Sequence, residues 1–238
     1  MKNSFGLNIG DLIFSKYKVM GYLGGGWEGE VFKIVELGTG IHRAAKFFHP
    51  KRNIKGKTSK TYAKKLHKLR ECPVLIHYHN IETFENEDTS VKVFISEFIE
   101  GDLLSIFIKR IKTKTLSVHQ GLHLLYALVS GLESIHQLGE YHGDIHADNV
   151  IIQRFGLQVD IKIFDFLNSG RSSKVLRQED LICTIKLFYD LIGGQKRYKH
   201  HPDIVKEICC GLKHGLILKK FPTTSHLRYF LENTQWVR

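Results

Sequence analysis

The hydrophobic pattern of this chain changes character near residues 97–101, and that change limits the fold more than any other feature. Before it, apolar residues sit in short β-rich runs punctuated by glycine. These are YKVMGYLGGG, then EVFKIVEL, then IHRAAKFF after the turn GTG, then IETF and VKVFISEFI around ENEDTS. Runs of that length bounded by turn residues read as hairpins. The basic stretch through TYAKKLHKLRE is helix-like, with Tyr62, Leu66 and Leu69 at helical spacing. After the change, helical spacing dominates, in DLLSIFIKRI, SVHQGLHLLYALVSGLESIHQLG and QEDLICTIKLFYDLIGG. Ser117 and Gln120 form a capping-box pattern at the start of the longest of these, and a glycine follows its end. VIIQ and LQVDIKIFDF make a small hairpin, and PDIVKEICCGLKHGL and SHLRYFLENT read as two further helices. The chain is therefore read as α+β: a strand-rich lobe over about 1–97, a connection over 97–101 and a mainly helical lobe over about 102–238. With 238 residues it is long enough for one domain in two lobes, with a ligand expected in the cleft.

Composition excludes several classes. No run of 18 apolar residues exists, so no spanning helix is expected. The start, MKNSFGLNIGDLIF, lacks the apolar stretch and cleavage site of a secretory signal, which points to the cytoplasm. Cys72, Cys183, Cys209 and Cys210 contain no C-x-x-C and are read as small buried hydrophobes in a reducing compartment. The formal net charge is +11, and eleven Lys or Arg with no Asp or Glu lie between Arg43 and Arg70. That stretch is either a solvated face or a docking surface for an anionic partner. Nucleic acid is not favoured, because no stacking platform or zinc-finger spacing accompanies the charge. Oligomeric state is not legible.

Three stretches carry chemistry. Gly24, Gly26, Gly29 and Val31 make G-x-G-x-x-G-x-V, followed by a β-rich run rather than a helix. A glycine hairpin over phosphates fits that order better than a dinucleotide fold, since backbone N–H groups approach an anion where no Cβ intervenes. Lys46 sits in the apolar run RAAKFF, where its ammonium is either on an exposed strand edge or presented to a phosphate and held by a carboxylate. Glu71, at the end of the basic run, is the first acidic residue after it. The octapeptide His142–Asn149, HGDIHADN, crowds Asp144 and Asn149 together, and Asp165 follows the apolar run IKIF. Carboxylates gathered near a phosphate repel unless a hard cation with oxygen ligands, such as magnesium, joins them. Singly, each fits a polar loop or a cap.

Taken in order, these residues resemble the protein kinase-like superfamily. Its template has a glycine-rich loop, a strand lysine, a helix glutamate, a catalytic loop H-R-D-x-x-x-x-N and a metal-binding D-F-G. The matching positions are Gly24, Gly26, Gly29 and Val31, then Lys46, Glu71, His142-Gly143-Asp144 with Asn149, and Asp165-Phe166-Leu167. SEFIEGDLL, residues 96–104, resembles the hinge, and Asp180 resembles the buried aspartate that holds the catalytic loop. The resemblance implies a two-lobed fold with an antiparallel N-terminal sheet carrying one helix, and an ATP- and magnesium-dependent phosphotransferase. Adenine would rest against Glu97, Phe98 and Ile99, and Lys46 paired with Glu71 would hold phosphates. Asn149 and Asp165 would hold magnesium, and Asp144 would receive the proton of a substrate hydroxyl, favoured as a Ser or Thr of a protein.

Departures keep two alternatives open. Gly143 replaces the arginine that pairs with a phosphorylated activation loop, so no activation by phosphorylation between Asn168 and Arg177 is expected. Only 14 residues separate Asp165 from Asp180, and no A-P-E occurs. His146 stands where Ser/Thr kinases carry lysine, and H-G-D-x-H-x-x-N resembles aminoglycoside and choline phosphotransferases. Leu167 replaces the D-F-G glycine. Glu28 sits at the glycine-loop tip, where a carboxylate is tolerable over a triphosphate only if it points outward. A small-molecule kinase is one alternative. A kinase-like binding module without catalysis is the other, opposed by the presence of Lys46, Asp144, Asn149 and Asp165.

Overall fold

The computed structural model of the chain describes residues 4–86, 89–156, 158–166 and 173–234. The chain divides into two compact units, one of residues 1–70 and 76–99, the other of residues 71–75 and 100–238.

The first unit is a six-stranded antiparallel sheet with one α-helix. Its strands are β1 (Leu12–Ile13), β2 (Tyr17–Gly25), β3 (Gly29–Glu36), β4 (His42–Phe48), β5 (Tyr78–Asn86) and β6 (Thr89–Glu97), in the order β1-β2-β3-β4-β6-β5. Alternation decides which face is inside: Phe32 and Ile34 of β3, Ala45 and Phe47 of β4 and Val93 and Ile95 of β6 are buried together. Burying each larger one contributes roughly 1.5–3 kcal/mol. Residues ahead of β1 close this core, with Leu7 buried and the Ser4 amide and hydroxyl both donating to the Glu30 carboxylate at 2.9 Å. Helix α1 (Lys57–Lys68) packs against β5 and β6 through Tyr62, Ala63 and Leu66. It begins before the segment that sequence periodicity marks and ends before Glu71.

The second unit is helical with a three-stranded sheet of β7 (Asp102–Leu103), β8 (Val150–Phe155) and β9 (Val159–Ile163). Its helices are α2 (Leu104–Arg110), α3 (Val118–Gln137), α4 (Lys174–Leu191), α5 (Gly194–Tyr198), α6 (Asp203–Cys209), α7 (His214–Lys220) and α8 (Thr224–Asn233). The capping box of α3 forms as its sequence directs. The Gln120 amide donates to Ser117 Oγ at 3.2 Å and the Ser117 amide to Gln120 Oε1 at 3.0 Å. Leu122, Leu125 and Val129 of α3 meet Leu181, Ile185 and Phe188 of α4, with Val205, Ile217 and Leu227 closing the same core. The segment PDIVKEICCGLKHGL is not one helix. Cys210, Gly211 and Leu212 take φ of 48°, 62° and 56°, which ends α6 and restarts the chain as α7. Val74 and Leu75 belong to this unit because they pair with β9: Ile163 N–H donates to Val74 O at 2.7 Å.

Candidate active site

In the first unit, the glycine-rich turn joins β2 to β3, which runs directly into strand as the sequence order requires. Gly29 is needed by packing: a Cβ there would lie 2.0 Å from the Phe47 carbonyl oxygen of β4. Gly24 and Gly26 have open space around them, so their lack of a side chain leaves the turn's backbone accessible. Val31 is half-buried and pairs with Lys46, which pairs with Phe94 on the other side. Lys46 therefore lies on an interior strand, not on a sheet edge. Its side chain is 14% exposed, and its ammonium lies 5.3 Å from the Phe48 ring centroid.

The carboxylate at Lys46 within this unit is Glu28 of the glycine turn, with Lys46 Nζ 2.8 Å from Glu28 Oε2. Glu28 thus does not meet the condition under which a carboxylate at this tip is tolerable over a triphosphate: it turns toward the ammonium rather than outward. An ammonium largely removed from water draws the nearest flexible carboxylate toward it. Helix α1 contains no acidic residue, and Glu71 lies beyond its C-terminus, exposed, in the segment that belongs to the second unit. Glu97 ends β6 and accepts the His77 amide at 2.8 Å. Phe98 and Ile99 follow the last ladder pair of β4 and β6, so the sheet does not use their amide and carbonyl groups. The Lys33 ammonium lies over the Phe98 ring, 4.2 Å from its centroid.

In the second unit the octapeptide is built around a buried carboxylate. Asp180, 1% exposed on α4, accepts the His142 amide through Oδ2 and the Gly143 amide through Oδ1, each at 2.7 Å. Its Oδ2 also lies 2.9 Å from His136 Nε2, and the Thr224 hydroxyl meets His136 Nδ1 at 3.3 Å. Gly143 has φ of 88°, a conformation that a side chain would strain. His142 is fully buried. Its Nδ1 is 3.2 Å from the Asp144 amide, which donates to it, and its Nε2 is 2.9 Å from Phe164 O. That pattern fits the neutral tautomer with the proton on Nε2. Its ring also lies tilted by 35° against that of Phe166, centroids 4.5 Å apart.

Asp144 emerges from this base with its side chain 51% exposed. Asn149 is 5% exposed and donates through Nδ2 to Asp144 O at 2.9 Å and Oδ2 at 3.1 Å. His146 Nε2 stands 3.3 Å from Asp144 Oδ2. His146 also starts the short 3₁₀ turn 147–149, accepting the Asp148 amide at Nδ1. Asn149 is tied to the Asp165 segment through the Phe164 amide, which donates to Asn149 O at 3.1 Å. Asp165 has φ of 65°, a left-handed conformation that costs about 1–3 kcal/mol for a residue with a side chain. Such conformations persist where the surroundings over-determine them, here the paired Phe164 and the buried Phe166.

The structure thus brings Asp144 and Asn149 into contact and places Asp165 one residue from the Phe164–Asn149 hydrogen bond. With Nδ2 committed to Asp144, Asn149 keeps its amide oxygen as an acceptor, and Asp165 supplies a carboxylate. This is a hard-oxygen donor set of the kind magnesium takes alongside phosphate oxygens. Leu167 and residues 168–172 of the segment following lie outside the described residues. Sequence reading missed the Lys46–Glu28 pair and the part of His136, which no motif marks because it depends on where α3 ends.

Strand-rich and helical units of this kind define the protein kinase fold. The chain belongs to the protein kinase domain family, whose model matches residues 17–205. It is 29% identical over 149 residues to a probable cyclin-dependent serine/threonine-protein kinase of Dictyostelium discoideum, covering 60% of this chain and 22% of that protein. It is 28% identical over 158 residues to CBL-interacting protein kinase 17 of rice, covering 66% and 33%. It is 24% identical over 205 residues to the stress-activated protein kinase JNK of Suberites domuncula, covering 82% and 54%. The chain therefore spans between about a fifth and a half of the length of these relatives. The crystal structure of the Mycobacterium tuberculosis PknI kinase domain superposes with a TM-score of 0.69 at 19% identity, over 95% of this chain and 97% of that one.

Proposed function

We propose that residues 1–238 act as one protein kinase domain that transfers the γ-phosphoryl group of ATP to a Ser or Thr hydroxyl of a protein. The observation that carries this reading is the half-exposed Asp144 carboxylate, oriented by Asn149 and His146 on a backbone fixed by buried Asp180. Asp144 is placed to orient the acceptor hydroxyl and take its proton. Gly24 and Gly26 leave one face of the turn clear of side chains for phosphates, Gly29 seats the turn against β4, and Val31 lies beside them. Lys46 supplies positive charge to the phosphates, and Glu71 is proposed to support that side of the site. The adenine edge would lie against Glu97, Phe98 and Ile99, where the sheet leaves the backbone groups of Phe98 and Ile99 unused. Asn149 and Asp165 would hold magnesium, which when bound neutralises charge on the phosphates. In such a site most of the acceleration comes from placement and charge stabilisation.

The test is incubation with magnesium and γ-labelled ATP, alone and with a generic basic protein. Label on protein supports the reading. Consumption of ATP only with a hydroxylic small molecule would favour the small-molecule kinase instead, and binding without turnover the non-catalytic module. Asp144→Ala should lower transfer by about 10²–10⁴-fold while leaving the thermal midpoint unchanged.

The reading extends to partners and setting. Lys57, Lys60, Lys64 and Lys68 recur at i, i+3, i+7 and i+11 on one exposed face of α1, which suits an acidic stretch of a protein partner. Four free cysteines suit the reducing cytoplasm. No helix among the described residues is long and apolar enough to cross a membrane.

A further inference from the structure

The glycine turn carries its own anion to the lysine meant for phosphates. Three contacts hold the tip of that turn against the end of β4 and the turn that follows it. Lys46 Nζ donates to Glu28 Oε2 at 2.8 Å, and the His49 amide donates to Glu28 O at 2.8 Å. The Arg52 guanidinium lies 3.5 Å from the ring centroid of Trp27. Trp27 is 70% exposed, so burial does not fix it there; the guanidinium against its face does. A triphosphate approaching Lys46 therefore meets a carboxylate already in place. Two anions in reach of one ammonium repel each other, most strongly where water is partly excluded. The Lys46 side chain is 14% exposed and that of Glu28 30%, so the pair is partly shielded and also open enough to exchange.

We propose that Glu28 is a displaceable internal competitor for the phosphates of the nucleotide at Lys46, and that the Trp27–Arg52 stack holds it in position until phosphates replace it. Glu28 is thus a specificity-determining residue. It sets a threshold that every phosphate-bearing nucleotide must overcome and that an uncharged nucleoside does not feel. The inference rests on the reading of Lys46 as the phosphate-binding lysine. It separates two jobs that the glycine turn performs: a face clear of side chains for the ligand, and a carboxylate that occupies the ammonium's side when the ligand is away.

Binding of magnesium-ATP, magnesium-ADP and adenosine to the intact chain tests it, by calorimetry and by Trp27 fluorescence in a Trp236→Phe background. Glu28→Gln keeps the shape of the side chain and removes its charge. It should tighten ATP and ADP by about fivefold, the factor expected for releasing a half-screened ion pair, and leave adenosine unchanged. Arg52→Ala should tighten them in the same direction by a smaller factor. ATP should change Trp27 emission as the tip is released. Weaker binding of ATP to Glu28→Gln would show that the carboxylate assists the nucleotide, and equal tightening of all three ligands would show a general effect on the loop; either overturns the proposal. If neither protein binds ATP or ADP, the phosphate role of Lys46 fails, and this inference with it.

Discussion

At the scale of single residues, the octapeptide was legible because its chemistry is local. His142, Asp144 and Asn149 lie within eight residues, and their hydrogen bonds to one another span few steps of chain. Glu28 was visible as an anomaly but not as the partner of Lys46, because the pairing depends on how the turn folds over β4. Glu71 was marked by elimination along the chain, and the end of α1 at Lys68 leaves it outside the helix. Asp180 shows how far one buried side chain reaches. Its two oxygens accept the backbone amides of buried His142 and half-buried Gly143, so removing it strands both N–H groups. Each unpaired group costs about 1–3 kcal/mol. We expect Asp180→Ala to lower unfolding stability by about 3–5 kcal/mol in urea titration, and Asp180→Asn, which keeps one acceptor oxygen, to fall between it and the parent. A loss under about 0.5 kcal/mol in the alanine variant would mean that the loop does not depend on this carboxylate.

At the scale of elements, what could be read was what the local sequence encodes. Helix α3 announces itself through Ser117 and Gln120, and both bonds form. The start of α1 could not be read, since its N-cap is Gly56 in a left-handed conformation and no acidic residue occupies its first turn. Tertiary contacts fix it instead: Asn53 Oδ1 accepts the Ser59 amide at 3.1 Å, and Ser59 is fully buried. The break between α6 and α7 was equally hidden, because Cys210 and Leu212 carry no turn signature. Gly131 presents the opposite case, a residue that looks wrong for its helix. Glycine is worth about 1 kcal/mol less than alanine inside a helix. Yet a Cβ at 131 would meet Val74 atoms at 2.7–2.9 Å, all of them on a stiff β-branched side chain. Overpacking of that kind costs about 1–3 kcal/mol and outweighs the propensity gain. We expect Gly131→Ala to lower the thermal midpoint, and Val74→Ala in the same chain to restore much of the loss. A rise in the single variant would show that α3 shifts freely over Val74.

At the scale of the whole molecule, the last of the chain's crossings between units falls between Ile99 and Glu100, beside the change of hydrophobic pattern at 97–101. The assignment of residues 71–75 to the second unit could not be read, because a two-residue pairing with β9 leaves no periodic mark. Global stability should also record where the thiols lie. Cys209 is fully buried in the core of the helical unit, and burial pushes its thiol from an ordinary value of 9.0 up to about 12. Burial, followed by the carboxylates of Glu179 and Asp180, raises the Cys183 thiol to about 11. Below pH 9 both thiols are protonated in the folded and unfolded chain, so neither adds a pH dependence. Above it the unfolded chain releases protons that the folded chain retains, so stability falls as pH rises toward the folded values. For Cys209 the slope is about 1.4 kcal/mol per pH unit, the value for one proton. Tyrosines and lysines also titrate in this range, so the comparison that isolates the thiol is with Cys209→Ala. The stability difference between parent and variant should be constant from pH 7 to about 8.5 and then shrink steadily to about pH 11. A difference that stays flat across that range would place the Cys209 thiol in contact with water.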